Sequence, residues 1–338
     1  MTPRAAIFGC AGLALGDDER RFFAATDPLG FILFARNVRD PSQVAALVRS
    51  LRDCVGRGDA PVLIDQEGGR VQRLGPPHWR AAPAAARFGL AYGRNHAAAI
   101  DGVRQNARLL AADLADLGID VDCAPVLDRP VAGAHDVIGD RAFGSGVETI
   151  VALGRAAIEG FLDGGVIPVV KHVPGHGRAR ADSHAALPVV EASRAELETT
   201  DFAPFRALAD APWGMTAHVL FLAIDPAAPA TLSPRVIGDI VRGAIGFDGV
   251  LVSDDLSMGA LAGDFASRTQ AALAAGCDVV LHCNGKMAEM QAIAAAATPL
   301  DDLALERLAR AAARKRKPGA IARTEIAHRI EQLLAPVA

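Results

Sequence analysis

Eight short apolar runs, separated by longer amphipathic stretches, limit the fold of this chain more than any other feature of its sequence. They are Ala5–Phe8, Phe31–Ala35, Val62–Asp65, Ile119–Ala124, Ile167–Lys171, Gly214–His218, Val250–Ser253 and Val279–His282. Each has the length of a strand rather than a helix, and near-continuous apolar character suits a sheet buried on both faces. Between most of them the period becomes helical. Within 92–117, for example, Ile100, Val103, Leu110, Leu114 and Leu117 recur on one face. Gly276 is placed to end a helix just before the run at Val279. Such alternation predicts parallel βα units. No linker rich in Pro, Gly or Ser interrupts the 338 residues, which favours one domain spanning 1–338.

Charge and cysteine usage remove several function classes. A net charge of −4 supplies no positive field for nucleic acid or an anionic membrane. The run Arg314-Lys315-Arg316-Lys317 follows an Ala/Leu-rich helical stretch and precedes Pro318, where cations complement a helix C-terminus. Five scattered cysteines, Cys10, Cys54, Cys123, Cys277 and Cys283, fit buried thiols in a reducing compartment better than a disulfide framework. The apolar stretch before Cys10 is too short for a signal segment, and no run is long enough to span a bilayer. The expectation is a soluble, cytoplasmic protein.

Polar residues gather at or just after the strand ends: Asp65, Lys171, His172, His218, Asp254 and His282. A barrel places its active site at that end. A doubly wound open sheet would do the same, so the clustering does not choose between them. No glycine-rich dinucleotide turn or phosphate-loop lysine motif is present.

The densest cluster is Lys171-His172-Val173-Pro174-Gly175-His176-Gly177, followed by Asp182-Ser183-His184. His172, His176, Asp182 and His184 are ligand types for zinc, but there is no His-Glu-x-x-His helix, and Pro174 and Gly175 disfavour a helix that would align His172 with His176. General acid–base chemistry is the stronger alternative. In an extended loop residues i and i+2 share a side, so Asp182 would accept a hydrogen bond from His184 and orient an imidazole that titrates near neutral pH. Asp254-Asp255, ending a strand, offers a carboxylate nucleophile, and strand parity does not say which of the two attacks. Asp65 with Arg73, and Arg141 in a Gly-bounded loop, are suited to gripping sugar hydroxyls and an acyl or carboxylate group; taken singly, each also fits a surface ion-pair network.

Together Ile64–Arg73, Ala124–Asp128, Gly139–Phe143, Lys171–Gly177, Asp182–His184, Met215–Val219 and Ser253–Met258 resemble the glycoside hydrolase family 3 β-N-acetylhexosaminidases of the NagZ type. The resemblance implies a single (β/α)8 TIM-like barrel. It implies Asp254 as nucleophile, His184 as acid/base with Asp182 orienting it, and Asp65, Arg73, Arg141, Lys171 and His172 binding N-acetylglucosamine. It further implies a monomer, without metal or cofactor, that releases N-acetylglucosamine from GlcNAc-1,6-anhydroMurNAc and its peptides during peptidoglycan recycling. Two departures stand out. Arg178-Ala179-Arg180 replaces the small or β-branched residues that relatives often carry before Asp182, and Leu127–Ile138 is longer than in some of them. Phosphorolysis, which a histidine acid/base would not hinder, and a catalytically silent muropeptide sensor are the rival readings.

Overall fold

The computed structural model describes residues 2–336. Eight parallel strands close into a barrel: β1 (Arg4–Gly9), β2 (Pro28–Leu33), β3 (Val62–Ile64), β4 (Val121–Asp122), β5 (Ile167–Val173), β6 (Trp213–Thr216), β7 (Val250–Asp255) and β8 (Val279–His282), with β8 pairing back onto β1. Each strand overlaps one of the eight apolar runs, and the sheet closes on itself, so the architecture is the (β/α)8 barrel and the open-sheet alternative is excluded.

The near-continuous apolar runs follow from burial on both faces. Ile7, Ile32, Leu63, Val169, Val252 and Leu281 fill the barrel interior. Their chain neighbours Phe8, Phe31, Val62, Val170, Leu251 and Val280 pack outward beneath the helices. Alternate residues therefore meet two different apolar layers. Leu300, Ala304 and Ala311 pack against the interior layer, so the helix Asp302–Ala313 covers the N-terminal mouth. Polar chemistry is left to the opposite end.

Helix boundaries follow local chemistry. Asp40 caps Pro41–Val55 by accepting from the Gln43 N–H, and Asp264 caps Phe265–Ala275 by accepting from the Ser267 N–H. Gly276 ends the latter helix at φ +110°, as expected. The helical period in 92–117 needs one correction. Its helix is His96–Ala115, started by Asn95, and Ile100 lies on the exposed side. Ala99, Gly102, Val103, Asn106 and Leu110 form the buried stripe.

The basic run past Ala313 is spent on acids of neighbouring units. Arg314 faces Asp210, Lys315 faces Asp120, and Arg316 binds Glu159 and Asp163. All five cysteines are free thiols. Among the described residues, no helix is long and apolar enough to cross a membrane.

Candidate active site

Two irregular ladders shape the open end. β5 shifts register against β6 between Lys171 and Val173, and β7 shifts against β8 between Val252 and Asp255. Adjacent residues on a regular strand face opposite ways. Here both Lys171 and His172, and both Asp254 and Asp255, line one cavity of about 160 Å³. Asp65, Arg73, Arg141 and His184 line the same cavity.

Its floor is a chain of ion pairs centred on the buried Lys171. Lys171 Nζ lies 2.8 Å from Asp65 and 2.7 Å from Glu67. Arg73 reaches Asp65 at 3.1 Å, and Arg141 grips Glu67 with two nitrogens at 2.8 and 2.9 Å. Burial alone would raise the Asp65 carboxyl, but the charges of Lys171 and Arg73 outweigh it and hold it well below the usual carboxylate range. For Glu67, burial is likewise outweighed by Lys171 and Arg141. Lys171 is desolvated, yet Asp65 and Glu67 keep it firmly charged. The Gln66 side chain holds the strand-to-loop turn, accepting from the N–H groups of Arg73 and Leu74. The Arg73 cation sits 5.3 Å from the centre of the Phe34 ring.

Asp128, fully buried, fixes the wall. Its carboxylate accepts from His172 Nδ1 at 2.6 Å and from the His176 N–H at 2.6 Å. These bonds and the nearby imidazoles overcome the effect of burial and keep Asp128 ionised, so the proton between it and His172 resides on Nδ1.

The hydrogen bonds separate the two aspartates that parity could not. Asp255 is committed: its carboxylate accepts from the Ser257 N–H and hydroxyl and from the Cys283 N–H. Among the described residues, Asp254 accepts only from the Asp255 N–H at 2.8 Å, leaving an oxygen for the cavity. Burial raises the Asp254 carboxyl, but His218, His172 and that N–H lower it further, so the net shift is downward. Beneath it the Asp254 N–H meets Thr216 Oγ1, which bonds Thr231 Oγ1 at 2.7 Å. Thr231 in turn bonds His218 Nδ1 at 2.7 Å, and His218 Nε2 donates to the Asp255 carbonyl at 3.0 Å. Burial lowers the His218 pKa, while the Asp254 charge and the Asp255 carbonyl oppose that shift.

His184 bonds Asp182 through Nδ1 at 2.8 Å, the pairing expected from the sequence. The expected reason was wrong. Residues 182–186 form a turn, with the N–H groups of Ala185 and Ala186 donating to the Asp182 carbonyl, so turn geometry rather than extended parity brings the pair together. Bonds from His184 hold the Asp182 carboxyl below its ordinary value despite partial burial.

Two strand-end histidines stand apart from the cavity. His282 is buried between the edges of Phe8 and Phe265 and bonds Glu289, while His218 lies beneath Asp254. Glu67, Asp128 and Ser183 were not singled out by sequence reasoning; the only signal available was their place inside the quoted motifs. Among the described residues, no three His, Cys, Asp or Glu side chains converge as a metal cage, because His172 and His184 are each turned to an aspartate.

The cavity at the C-terminal end of the parallel barrel thus offers a free carboxylate, an aspartate-bound imidazole and a cationic floor, an arrangement suited to acid–base and nucleophilic chemistry on a polar substrate. The chain matches the glycosyl hydrolase family 3 N terminal domain over residues 16–316, belongs to that family, and is a glycoside hydrolase. Within the family it falls in the branch of NagZ-type β-N-acetylhexosaminidases. A β-hexosaminidase of Alkalilimnicola ehrlichii is 42% identical over 282 residues, covering 82% of this chain and 80% of that protein. NagZ from Neisseria gonorrhoeae in complex with N-trifluoroacetyl-D-glucosamine superposes with a TM-score of 0.89 at 30% identity, covering 99% of both chains. A structure of the same gonococcal protein in complex with zinc ion gives 0.87 at 29% identity, again covering 99% of both.

Proposed function

We propose that this chain is a retaining exo-β-N-acetylglucosaminidase that works as one cytoplasmic catalytic unit, releasing terminal N-acetylglucosamine from 1,6-anhydromuropeptides in peptidoglycan recycling. One observation carries the reading: the uncommitted Asp254 carboxylate and the Asp182-bound imidazole of His184 line the same cavity as the Asp65–Lys171–Arg73 ion pairs.

In the first step protonated His184 donates to the departing glycosidic oxygen while Asp254 attacks the anomeric carbon, forming a glycosyl-aspartate. Neutral His184 then takes a proton from water, whose oxygen displaces Asp254 with net retention. Asp182 supports the imidazolium through Nδ1 and leaves Nε2 for the proton transfers. Asp65, Lys171, His172, Arg73 and Arg141 bind the sugar, and the 2-acetamido group serves recognition rather than attack. The ion pairs keep these polar groups charged and fixed before substrate arrives, so little reorganisation accompanies binding.

The test is product analysis with purified 1,6-anhydromuropeptide, in water and in phosphate, with the anomer followed by NMR. Free β-N-acetylglucosamine formed first in both media is expected. An initial α-anomer would overturn retention, and N-acetylglucosamine 1-phosphate would favour phosphorolysis.

A further inference from the structure

The turn that presents His184 is fastened at three points, none of which uses the side-chain bond between Asp182 and His184. His184 is exposed and Asp182 half-buried, yet Ser183 between them is only 3% exposed. Its hydroxyl lies 3.1 Å from His176 Nε2. His176 is itself anchored by its backbone N–H to Asp128, and its Nδ1 is buried without a partner. Ser183 is thus the one protein partner of that imidazole among the described residues. Burial, followed by the neighbouring His172, lowers the His176 pKa to about 4, so this contact is made by a neutral ring.

On its other side the turn meets the loop that continues β7. The Ala260 N–H donates to the Ser183 carbonyl and the Gly259 N–H to the His184 carbonyl, both at 3.1 Å. Gly259 is required for this approach, since a Cβ there would stand 2.8 Å from the His184 oxygen and 3.0 Å from the Ala185 oxygen. Its φ lies outside the left-handed region, so the constraint is contact rather than backbone strain. The segment that carries Asp254 therefore also grips the segment that carries His184, only four residues beyond Asp255.

We infer that the Ser183–His176 bond and the Gly259 and Ala260 amides form a latch that aligns His184 with Asp254, making Ser183 and Gly259 positioning residues. This rests on His184 being the acid/base. Releasing the latch leaves the Asp182–His184 bond intact, because that bond lies within the turn. What is lost is the placement of the proton donor over the leaving oxygen. The defect should therefore scale with how much the leaving group needs a proton, which a general loss of structure would not produce.

The experiment compares kcat/KM for an activated aryl β-N-acetylglucosaminide and for a poor leaving group, an alkyl glycoside or disaccharide. Ser183→Ala, Gly259→Ala and His184→Ala are measured side by side, each with an inhibition constant for N-acetylglucosamine. For Ser183→Ala and Gly259→Ala the loss on the poor leaving group should be about tenfold, with a much smaller loss on the aryl substrate and little change in inhibition. Because both variants release the same turn, their combination should cost less than the product of the two. If His184→Ala discriminates between the substrates but Ser183→Ala and Gly259→Ala lose activity equally on both, the latch is refuted and the acid/base assignment stands. If His184→Ala itself fails to discriminate, the assignment falls and the latch with it.

Discussion

Asp122 carries a charge-state prediction that the structure makes quantitative. It is fully buried at the end of β4, accepts from the Gln66 N–H at 3.0 Å through one oxygen, and has no partner for the other. Burial is the main force pushing its carboxyl up; the Gln66 N–H and Lys171 oppose this, Asp65 and Glu67 reinforce it, and the result is about 8. An unfolded aspartate titrates near 3.9. Between those values the folded chain holds a proton that the unfolded chain has lost. The stability tied to this group is therefore complete below about pH 4 and is lost as pH rises towards about 8. At pH 7 the loss amounts to about 4 kcal/mol. Asp122→Asn imitates the neutral acid and removes the dependence. Its extra amide hydrogen, lacking an acceptor, costs about 1–2 kcal/mol. The variant should be more stable by about 2–3 kcal/mol at pH 7 and roughly unchanged at pH 5. Urea unfolding of both proteins at pH 5, 6, 7 and 8 measures this directly. A difference independent of pH, or a destabilisation that grows with pH, would mean that Asp122 is ionised and would refute the reasoning.

Other consequences can be measured on the same protein. Lys171→Met removes the cation shared by Asp65 and Glu67, so it should destabilise the fold by about 3–5 kcal/mol and weaken inhibition by N-acetylglucosamine; unchanged stability would show that the pairs are solvated. As the proposed nucleophile Asp254 must be ionised, and its carboxyl is lowered, so the activity it supports should persist through the ordinary aspartate range as pH falls. An acid limb of kcat/KM near pH 6 that vanishes in no His variant would contradict this. Dialysis against a chelator should leave turnover intact, whereas loss restored by added zinc would revive the metal reading.

The barrel was legible because each strand faces two apolar layers, which writes its position into the chain as an apolar run. Boundaries were less so. β2 begins at Pro28 rather than Phe31, since Pro28 and Gly30 do not read as strand residues, although a Cβ on Gly30 would stand 2.3 Å from the Pro61 carbonyl. In the site, residue types were visible as local clusters, while their pairing was not. Arg141 finds Glu67 across 74 positions and His172 finds Asp128 across 44, distances that no local pattern reports. The choice of Asp254 over Asp255 depends on the register shift in β7 and on bonds from Ser257 and Cys283. The Arg178 departure also has a local use: its guanidinium binds Asp201 at 2.6 Å and Glu196 at 2.8 Å, tying the root of the His184 segment to the helix Arg194–Thr199.

Covalent trapping gives the most direct test of the assignment of Asp254. A 5-fluoro N-acetylglucosaminyl fluoride forms the glycosyl-enzyme and slows its breakdown, and peptide mass mapping then locates the adduct. Attachment to Asp254, with Asp255 unmodified, is the predicted result. An adduct on Asp255 or elsewhere, or no adduct during continued turnover to the α-anomer, would contradict the account.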